Sequence, residues 1–342
     1  MHSPCRLIKF RDDTFCYFAE LFTYQQTGMK TIILAKEGGA ENFEIADKAL
    51  PEAGSGEVRI RVVAISINPV DIKTRKGGAL FGSLKEQAPV ILGWDVSGVV
   101  DAVGPDVADF RIGDEVFGMV NFPGHGKAYA ECVIAPAAHL TKKPENISHE
   151  EAAAATLAAL TAWQVLIQQG GLKSGQRVLI HAAAGGVGHY AVQIAKHIGA
   201  TVVGTASRAN ESFLRELGVD EYIDYHQKDA LAAIAPVDLV LDPIGGETTV
   251  ASVDVLKDGG TLVSIVGGVK DNLQERFAAK NITAKNYLVQ SSGSDMSELA
   301  KLMREGKLKS VVSHRFPFEQ MAEAHAQIET GRTRGKVVLT FE

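Results

Sequence analysis

Cysteine is scarce in this chain. Its three copies, Cys5, Cys16 and Cys132, are too few and too unevenly spaced for a disulfide framework or a four-thiolate zinc site. Long apolar runs are lacking too, since Gly or a charge cuts each one short of the roughly 18–20 residues of a membrane span. Nor is there an excess of positive charge. The 35 Lys and Arg against 41 Asp and Glu give a formal net charge of −6, which argues against a nucleic-acid binder held by a basic face. Internal repeats and low-complexity tracts are absent. What remains is the composition of a packed globular protein, 46% hydrophobic and 22% charged. At 342 residues it has room for two domains of about 100–200 residues each. These features predict a soluble cytoplasmic protein of a reducing compartment, with no nucleic acid and no membrane as partner.

The first 28 residues differ from the rest, holding six aromatics (Phe10, Phe15, Tyr17, Phe18, Phe22, Tyr24) and two of the cysteines. Asp12, Asp13 and Glu20 interrupt any apolar core that an export signal would need. Met29 begins MKTIILA, which reads at once as an edge strand. Residues 1–28 are therefore expected to be an accessory extension, with a docked amphipathic arm as the alternative.

From residue 29 to about 150 the pattern is that of short strands between glycine turns, which suggests a barrel-like domain. GEVRIRVVAISIN (56–68) alternates charged and branched residues. VILGWDVSGVVDAVG (90–104), GDEVFGMV (113–120) and AYAECVIAPAAHLTKKP (128–144) each read as a further strand. EEAAAATLAALTAWQVLIQQG (150–170) then reads as one helix closed by Gly170 and Gly171. Strand–helix alternation follows: strands at 177–183, 201–206, 221–225, 237–242 and 261–267, helices at 189–199 and 211–218. That rhythm predicts an α/β doubly wound parallel sheet. The tail ends in the strand GKVVLTFE (335–342).

Glycine placement carries the cofactor argument. Directly after the strand 177–183 comes AAGGVG (183–188), a variant of the dinucleotide fingerprint that opens a helix. Ala183 takes the tight-turn position, Gly185 lets the backbone approach a pyrophosphate, and Gly188 lets helix and strand pack closely. The loop Ala184, Gly185, Gly186, Val187 and Gly188 then presents a helix N-terminus to phosphate. Some twenty residues on, an NAD site would place an acid; here stand Ser207 and Arg208, which suit the 2′-phosphate of NADPH. The missing acid also argues against S-adenosylmethionine. GRTRGK (331–336) is not a phosphate-binding P-loop, because its spacing is one short and Val337 replaces Ser or Thr.

Several segments together resemble the medium-chain dehydrogenase/reductase superfamily: INPVDIKTRKG (67–77), LGWDVSGVV (92–100), LTAW (160–163), AAGGVGHYAVQIAK (183–196), LDPIGG (241–246) and RGKVVL (334–339). The resemblance runs from about residue 29 to 342 and is greatest to the zinc-free quinone oxidoreductase and alkenal/enone reductase branch. It implies a GroES-like β-barrel catalytic domain (29–151 and 308–342) joined to a Rossmann NADPH-binding domain (152–307). At the positions of the catalytic zinc ligands of metal-dependent relatives this chain has Asn68, Trp94 and Leu157, none of which binds zinc as those do. His125, His139 and His149 are too irregularly spaced to replace them. No metal is expected.

Without zinc, an alcohol lacks the help needed to become an alkoxide, roughly nine pKa units or about 12 kcal/mol. Conjugated enones, 2-alkenals and quinones need far less, because hydride addition gives a delocalised anion. The resemblance places Asn68, Asp71 and Lys73 at the catalytic end: Asn68 to donate a hydrogen bond, Asp71 to order the loop, Lys73 to face the oxyanion. Many quinone reductases of this branch have Tyr where Lys73 stands, and Lys is the alkenal/enone reductase choice. Phe81 and Trp94 are candidate substrate-pocket walls, with core packing as the alternative for Trp94. The likeness further assigns Thr161, Gly245, Val266 and Gly267 to the nicotinamide, Tyr225 to the adenosine phosphate, and Lys336 to the phosphate side. A homodimer paired through an edge strand around TLVSIVG is implied as well. Rival readings are one-electron quinone reduction, an enoyl-thioester reductase, and a non-catalytic NADPH sensor.

Overall fold

The computed structural model describes residues 28–227 and 229–341. The expected extension at 1–28 lies outside them except for Gly28, which opens the first strand. Strands β1 (Gly28–Leu34) and β2 (Phe43–Ala49) form an antiparallel pair. They bridge to the body of the domain at Thr31–Ala130 and Leu34–Val90.

Next come β3 (Glu57–Ile67), β4 (Asp95–Val103), β5 (Glu115–Met119), β6 (Cys132–Pro136) and β7 (Leu140–Lys142). In β3, Val58, Ile60 and Val62 are buried while Arg61 faces out, as a period of two requires. Arg59 reaches Asp101 on β4 at 2.8 Å. Residues 128–144, expected as one strand, contain two, because a 3₁₀ turn at Ala137–His139 separates β6 from β7. Pro136 precedes that turn and removes a ladder donor there. Two short helices follow β3: α1 (Pro69–Arg75) and α2 (Phe81–Leu84).

Helix α3 (His149–Trp163) is capped by Ser148, whose Oγ accepts from Glu151 N at 3.1 Å while Glu151 Oε2 accepts from Ser148 N at 2.9 Å. Its residues 152–162 are all buried, and it packs on β3, β4, β5 and the glycine-loop helix α4 (Gly188–Ile198). The single helix read at 150–170 is α-helical only to Trp163; Gln164–Gln169 widens into a π-turn before Gly170.

Strands β8 (Arg177–Ile180), β9 (Thr201–Ala206), β10 (Glu221–Asp224), β11 (Val237–Asp242), β12 (Leu256–Ser264) and β13 (Thr283–Asn286) form a parallel sheet in the order β10-β9-β8-β11-β12-β13. This is the doubly wound dinucleotide order, with its switch point between β8 and β11. The TLVSIVG segment, expected at an edge, falls in and just after β12, which pairs on both sides; the edge strand there is β13. Finally β14 (Val312–Pro317) and β15 (Lys336–Thr340) return to the first domain, where β15 pairs with β3. The seven-stranded sheet so completed runs β14-β15-β3-β4-β5-β7, with β6 also on β3.

One apolar core runs from this sheet through α3 and α4 to the parallel sheet, and a second core lies around Leu179, Val240, Leu262 and Phe277. The architecture is therefore mixed α/β with a GroES-like unit and a Rossmann unit. Among the described residues no helix is long and apolar enough to cross a membrane.

Candidate active site

A cleft of about 680 Å³ opens at the carboxyl end of β8, where the sheet order reverses. Its glycine side is the loop 182–188. Gly185 N bonds Ala182 O at 2.8 Å, closing the tight turn. At Gly188 a Cβ would sit 2.3 Å from Ala182 O and 2.6 Å from Ala183 Cα, so helix α4 can approach β8 only with glycine there. Gly188→Ala is expected to cost about 1–3 kcal/mol of stability, read from the urea midpoint. An unchanged midpoint would mean that the helix shifts freely.

Gly185, Gly186, Val187 and Gly188 all line the cleft. The N–H groups of Gly186 and Val187 have no acceptor among the described residues, so they remain available to an anion. Those free donors at the start of a helix fit the pyrophosphate of a nicotinamide dinucleotide. Ala184 is buried, and its carbonyl accepts from Gly335 N at 3.0 Å, tying the C-terminal segment to the loop. Val266 and Gly267 line the cleft; Gly245 lies beside it with Asp242 Oδ1 accepting its N–H at 2.9 Å. Thr161 lines it too, with Oγ1 donating to Leu157 O at 2.7 Å.

Ser207 and Arg208 lie beyond the main cleft, at the end of β9. Arg208 is exposed and borders a hollow of about 320 Å³ with Glu211, Tyr222 and Asp224. The neighbouring acids are otherwise engaged, Glu211 by Arg215 at 2.7 Å and Asp224 by His226 at 3.1 Å. Arg208 has no ion pair among the described residues. A second cation joins this corner. Arg334 Nε donates to Asn210 Oδ1 at 2.9 Å, and its guanidinium lies 5.0 Å over the Phe213 ring. No local sequence pattern around RGK points to that role for Arg334; a loop returning 124 residues later brings it here. Tyr225 is 61% exposed and stacks on His226, 4.2 Å between ring centres.

The opposite side is built on the cap of α1. Asn68 is buried, lines the cleft, and begins the helix; Asp71 Oδ2 accepts from Asn68 N at 2.8 Å. Asp71 is itself fully buried and does not reach the cleft. Burial, reinforced by the nearby Asp95 charge, pushes its carboxyl up to about 7. Lys73 is exposed, lines the cleft, and has no ion pair among the described residues.

Three expectations need correction. Trp94 is 1% exposed and does not line the cleft; its Nε1 donates to Gly124 O at 2.7 Å and its ring packs edge-on against Phe122. Phe81 is likewise buried in the core, because α2 turns it inward. The apolar walls come instead from Phe122, Leu157, Tyr287, Leu288 and Ile328. Tyr287 presents its ring, since its hydroxyl is held by Gln164 Oε1 at 2.9 Å. Lys336, expected on the phosphate side, runs past Gly186 with its Nζ toward the carbonyl of Ile67, to which it donates at 3.2 Å, and toward Asn68 Oδ1. Asp95 explains that direction, and the motifs of the sequence do not single it out. It is fully buried, takes Asn68 Nδ2 at 2.8 Å and Leu157 N at 3.0 Å, and lies 3.6 Å from Lys336 Nζ. A lone acid inside the apolar run LGWDVSG was the available signal.

A GroES-like unit joined to a Rossmann unit, with a glycine-lined cleft at the switch point, defines an oxidoreductase of the nicotinamide-dependent class. Residues 54–145 match the family described as alcohol dehydrogenase GroES-like domain, and residues 217–339 that described as zinc-binding dehydrogenase. The chain is 34% identical over 322 residues, 83% of its length and 81% of the other's, to the mitochondrial NAD(P)H oxidoreductase RTN4IP1 of Mus musculus. It is 33% identical over 321 residues, 91% of its length and 79% of the other's, to the chloroplastic NADPH-dependent alkenal/one oxidoreductase of Arabidopsis thaliana. Among solved structures it resembles the quinone oxidoreductase from Coxiella burnetii, at 39% identity and a TM-score of 0.86, over 92% of this chain and 100% of that one. The chain belongs to the medium-chain dehydrogenase/reductase superfamily, in its zinc-free quinone oxidoreductase and alkenal/enone reductase branch. Although one family description names zinc, no group of three or more His, Cys, Asp or Glu side chains among the described residues is arranged to hold a metal.

Proposed function

We propose that this protein is a zinc-independent reductase that uses NADPH to reduce activated acceptors: 2-alkenals, enones or quinones. The observation that carries the reading is a single cleft that joins the open glycine loop to apolar walls and to the unpaired Lys73. Gly186, Val187, Thr161, Val266 and Gly267 would hold the dinucleotide, and Arg208 with Arg334 its 2′-phosphate. When bound, the reduced nicotinamide supplies a hydride. The chain's own contribution is to exclude water with Phe122, Leu157 and Tyr287 and to meet the developing oxyanion. Asn68 is suited to that task, because Asp95 fixes its amide so that Nδ2 donates, with one N–H left over. Lys73 adds a positive charge from the same side.

The reading includes a cytoplasmic homodimer acting on small molecules, without nucleic-acid or membrane partners; the net charge of −6 supports the first exclusion. An alkenal/one oxidoreductase and a quinone oxidoreductase among its relatives support the choice of acceptors. The test is NADPH oxidation in the presence of a 2-alkenal or a quinone. Lys73→Ala is expected to lower kcat by about 10²-fold with little change in NADPH affinity. NADPH binding without reduction of any such acceptor would leave a sensor as the better reading.

A further inference from the structure

The Lys336 ammonium is an unusual object: a cation, only 3% exposed, on the floor of the cleft. Its position is over-determined. The stem runs beside Gly186, where an added Cβ would lie 3.3 Å from Lys336 Cδ, and the head meets Ile67 O and Asn68 Oδ1. Burial lowers the pKa of this ammonium from its ordinary value, and Asp95, 3.6 Å away and beyond hydrogen-bond distance, opposes that shift and favours the charged form. An ammonium has three hydrogens, and two have acceptors within reach. The third has no acceptor within hydrogen-bond distance among the described residues, Asp95 Oδ2 at 3.6 Å being the nearest charge.

Asp95 also has a fixed surrounding. It holds the Asn68 amide and the Leu157 N–H, and Trp94 precedes it in the chain. Two of the three positions that resemblance matches to zinc ligands, Asn68 through its amide and Leu157 through its backbone N–H, therefore bond this one carboxylate beside the ammonium. A metal would bring a fixed positive charge to a substrate oxygen. Lys336 brings one here without a metal.

The geometry points to Lys336 as a catalytic cation of the cleft, a built-in positive charge that receives the carbonyl oxygen of a conjugated acceptor. This inference rests on the reductase reading above. In conjugate reduction the acceptor's β-carbon takes a hydride from the reduced nicotinamide, which is thereby oxidised. The C=C electron pair shifts to give an enolate, with the negative charge on oxygen beside Lys336, and the α-carbon then takes a proton from water. Asp95 is the positioning residue that aims the ammonium and the Asn68 amide at the same oxygen.

The test uses the full chain and three readouts: NADPH affinity by cofactor fluorescence, turnover with a 2-alkenal, and binding of hexanoate to the NADP⁺ complex as a stable carboxylate mimic of the oxyanion. Lys336→Met is expected to bind NADPH within about threefold of the unaltered protein, to lose about 10²–10³-fold in kcat, and to lose hexanoate affinity at least about tenfold. Since Lys336→Met leaves Asp95 as an unpaired buried charge, Lys336→Met with Asp95→Asn is measured beside it and is expected to show the same losses in a folded protein. Weakened NADPH binding with kcat unchanged at saturation would overturn the inference and return Lys336 to the phosphate side. So would full turnover in the double variant, or hexanoate affinity that is absent in the unaltered protein or indifferent to both variants. If no acceptor is reduced by the unaltered protein while hexanoate binding still depends on Lys336, the reductase reading fails and the anion site stands.

Discussion

Replacing Arg208 and Arg334 together by alanine is expected to weaken NADPH binding by about 10²–10⁴-fold while leaving NADH binding nearly unchanged. The magnitude follows from two charge-assisted hydrogen bonds to a phosphate dianion, each worth roughly 1.5–3 kcal/mol, with tenfold in affinity per 1.4 kcal/mol. The pattern follows from the structure. Arg208 has no ion pair among the described residues, and Glu211 and Asp224, which could compete for it, are held by Arg215 and His226. Arg334 is anchored on Asn210 and Phe213, so its charge is already ordered before a ligand arrives. Arg208→Ala alone is expected to remove about half of the effect in free-energy terms. Fluorescence titration with both cofactors measures it, as does the loss of salt sensitivity in NADPH binding alone. Equal weakening toward NADH would show that the arginines hold the adenosine end in general. No weakening toward either would place the 2′-phosphate elsewhere.

The second large effect is on stability against pH. Asp71 is fully buried beneath Asn68, and burial raises its carboxyl from 3.8 to about 7. In the unfolded chain the same group releases its proton near 3.8, so the folded state binds the proton more tightly over the interval between. Its contribution to stability is therefore complete below about pH 4 and is lost as pH rises through 7. At 1.36 kcal/mol per pKa unit the loss amounts to about 4 kcal/mol. Asp71→Asn keeps a carbonyl oxygen to accept from Asn68 N but cannot titrate. The gap between the two proteins should then shift by up to about 4 kcal/mol in favour of Asp71→Asn between pH 4 and pH 8, apart from a constant offset. Urea midpoints at several pH values measure it. Parallel curves would mean that the carboxyl is ionised throughout, compensated by neighbours such as Lys336.

The Rossmann half was largely legible because its strands announce themselves. TVVGTA (201–206) and VDLVLD (237–242) became β9 and β11 at the same boundaries, since parallel strands covered on both faces must be apolar throughout. Strand β13, Thr-Ala-Lys-Asn, carries no such signal; it is a short edge strand with Thr283 and Asn286 exposed. The glycine loop was legible because each glycine answers a local constraint, as Gly188 does against Ala182 and Ala183. The substrate walls were not, because Phe122, Tyr287 and Ile328 come from segments far apart in sequence and meet only in the folded chain. Trp94 and Phe81 looked like walls for lack of any sequence rule that separates a lining aromatic from a core one. Lys336 misled for a different reason: a four-carbon stem can deliver its charge to either side of Gly186, and only Asp95 decides which.

Lys336 opens the strand that pairs with β3 across about 270 positions of chain. During synthesis the Asp95 carboxylate is therefore made long before the cation that offsets its charge and donates to the Asn68 amide. A chain halted just short of residue 336 holds a Rossmann sheet with all six strands, yet its first domain lacks both an edge partner for β3 and the countercharge for Asp95. The same strand that closes the sheet also delivers the charge, so the hydrogen bonds of β3 and the neutralisation of Asp95 are completed together.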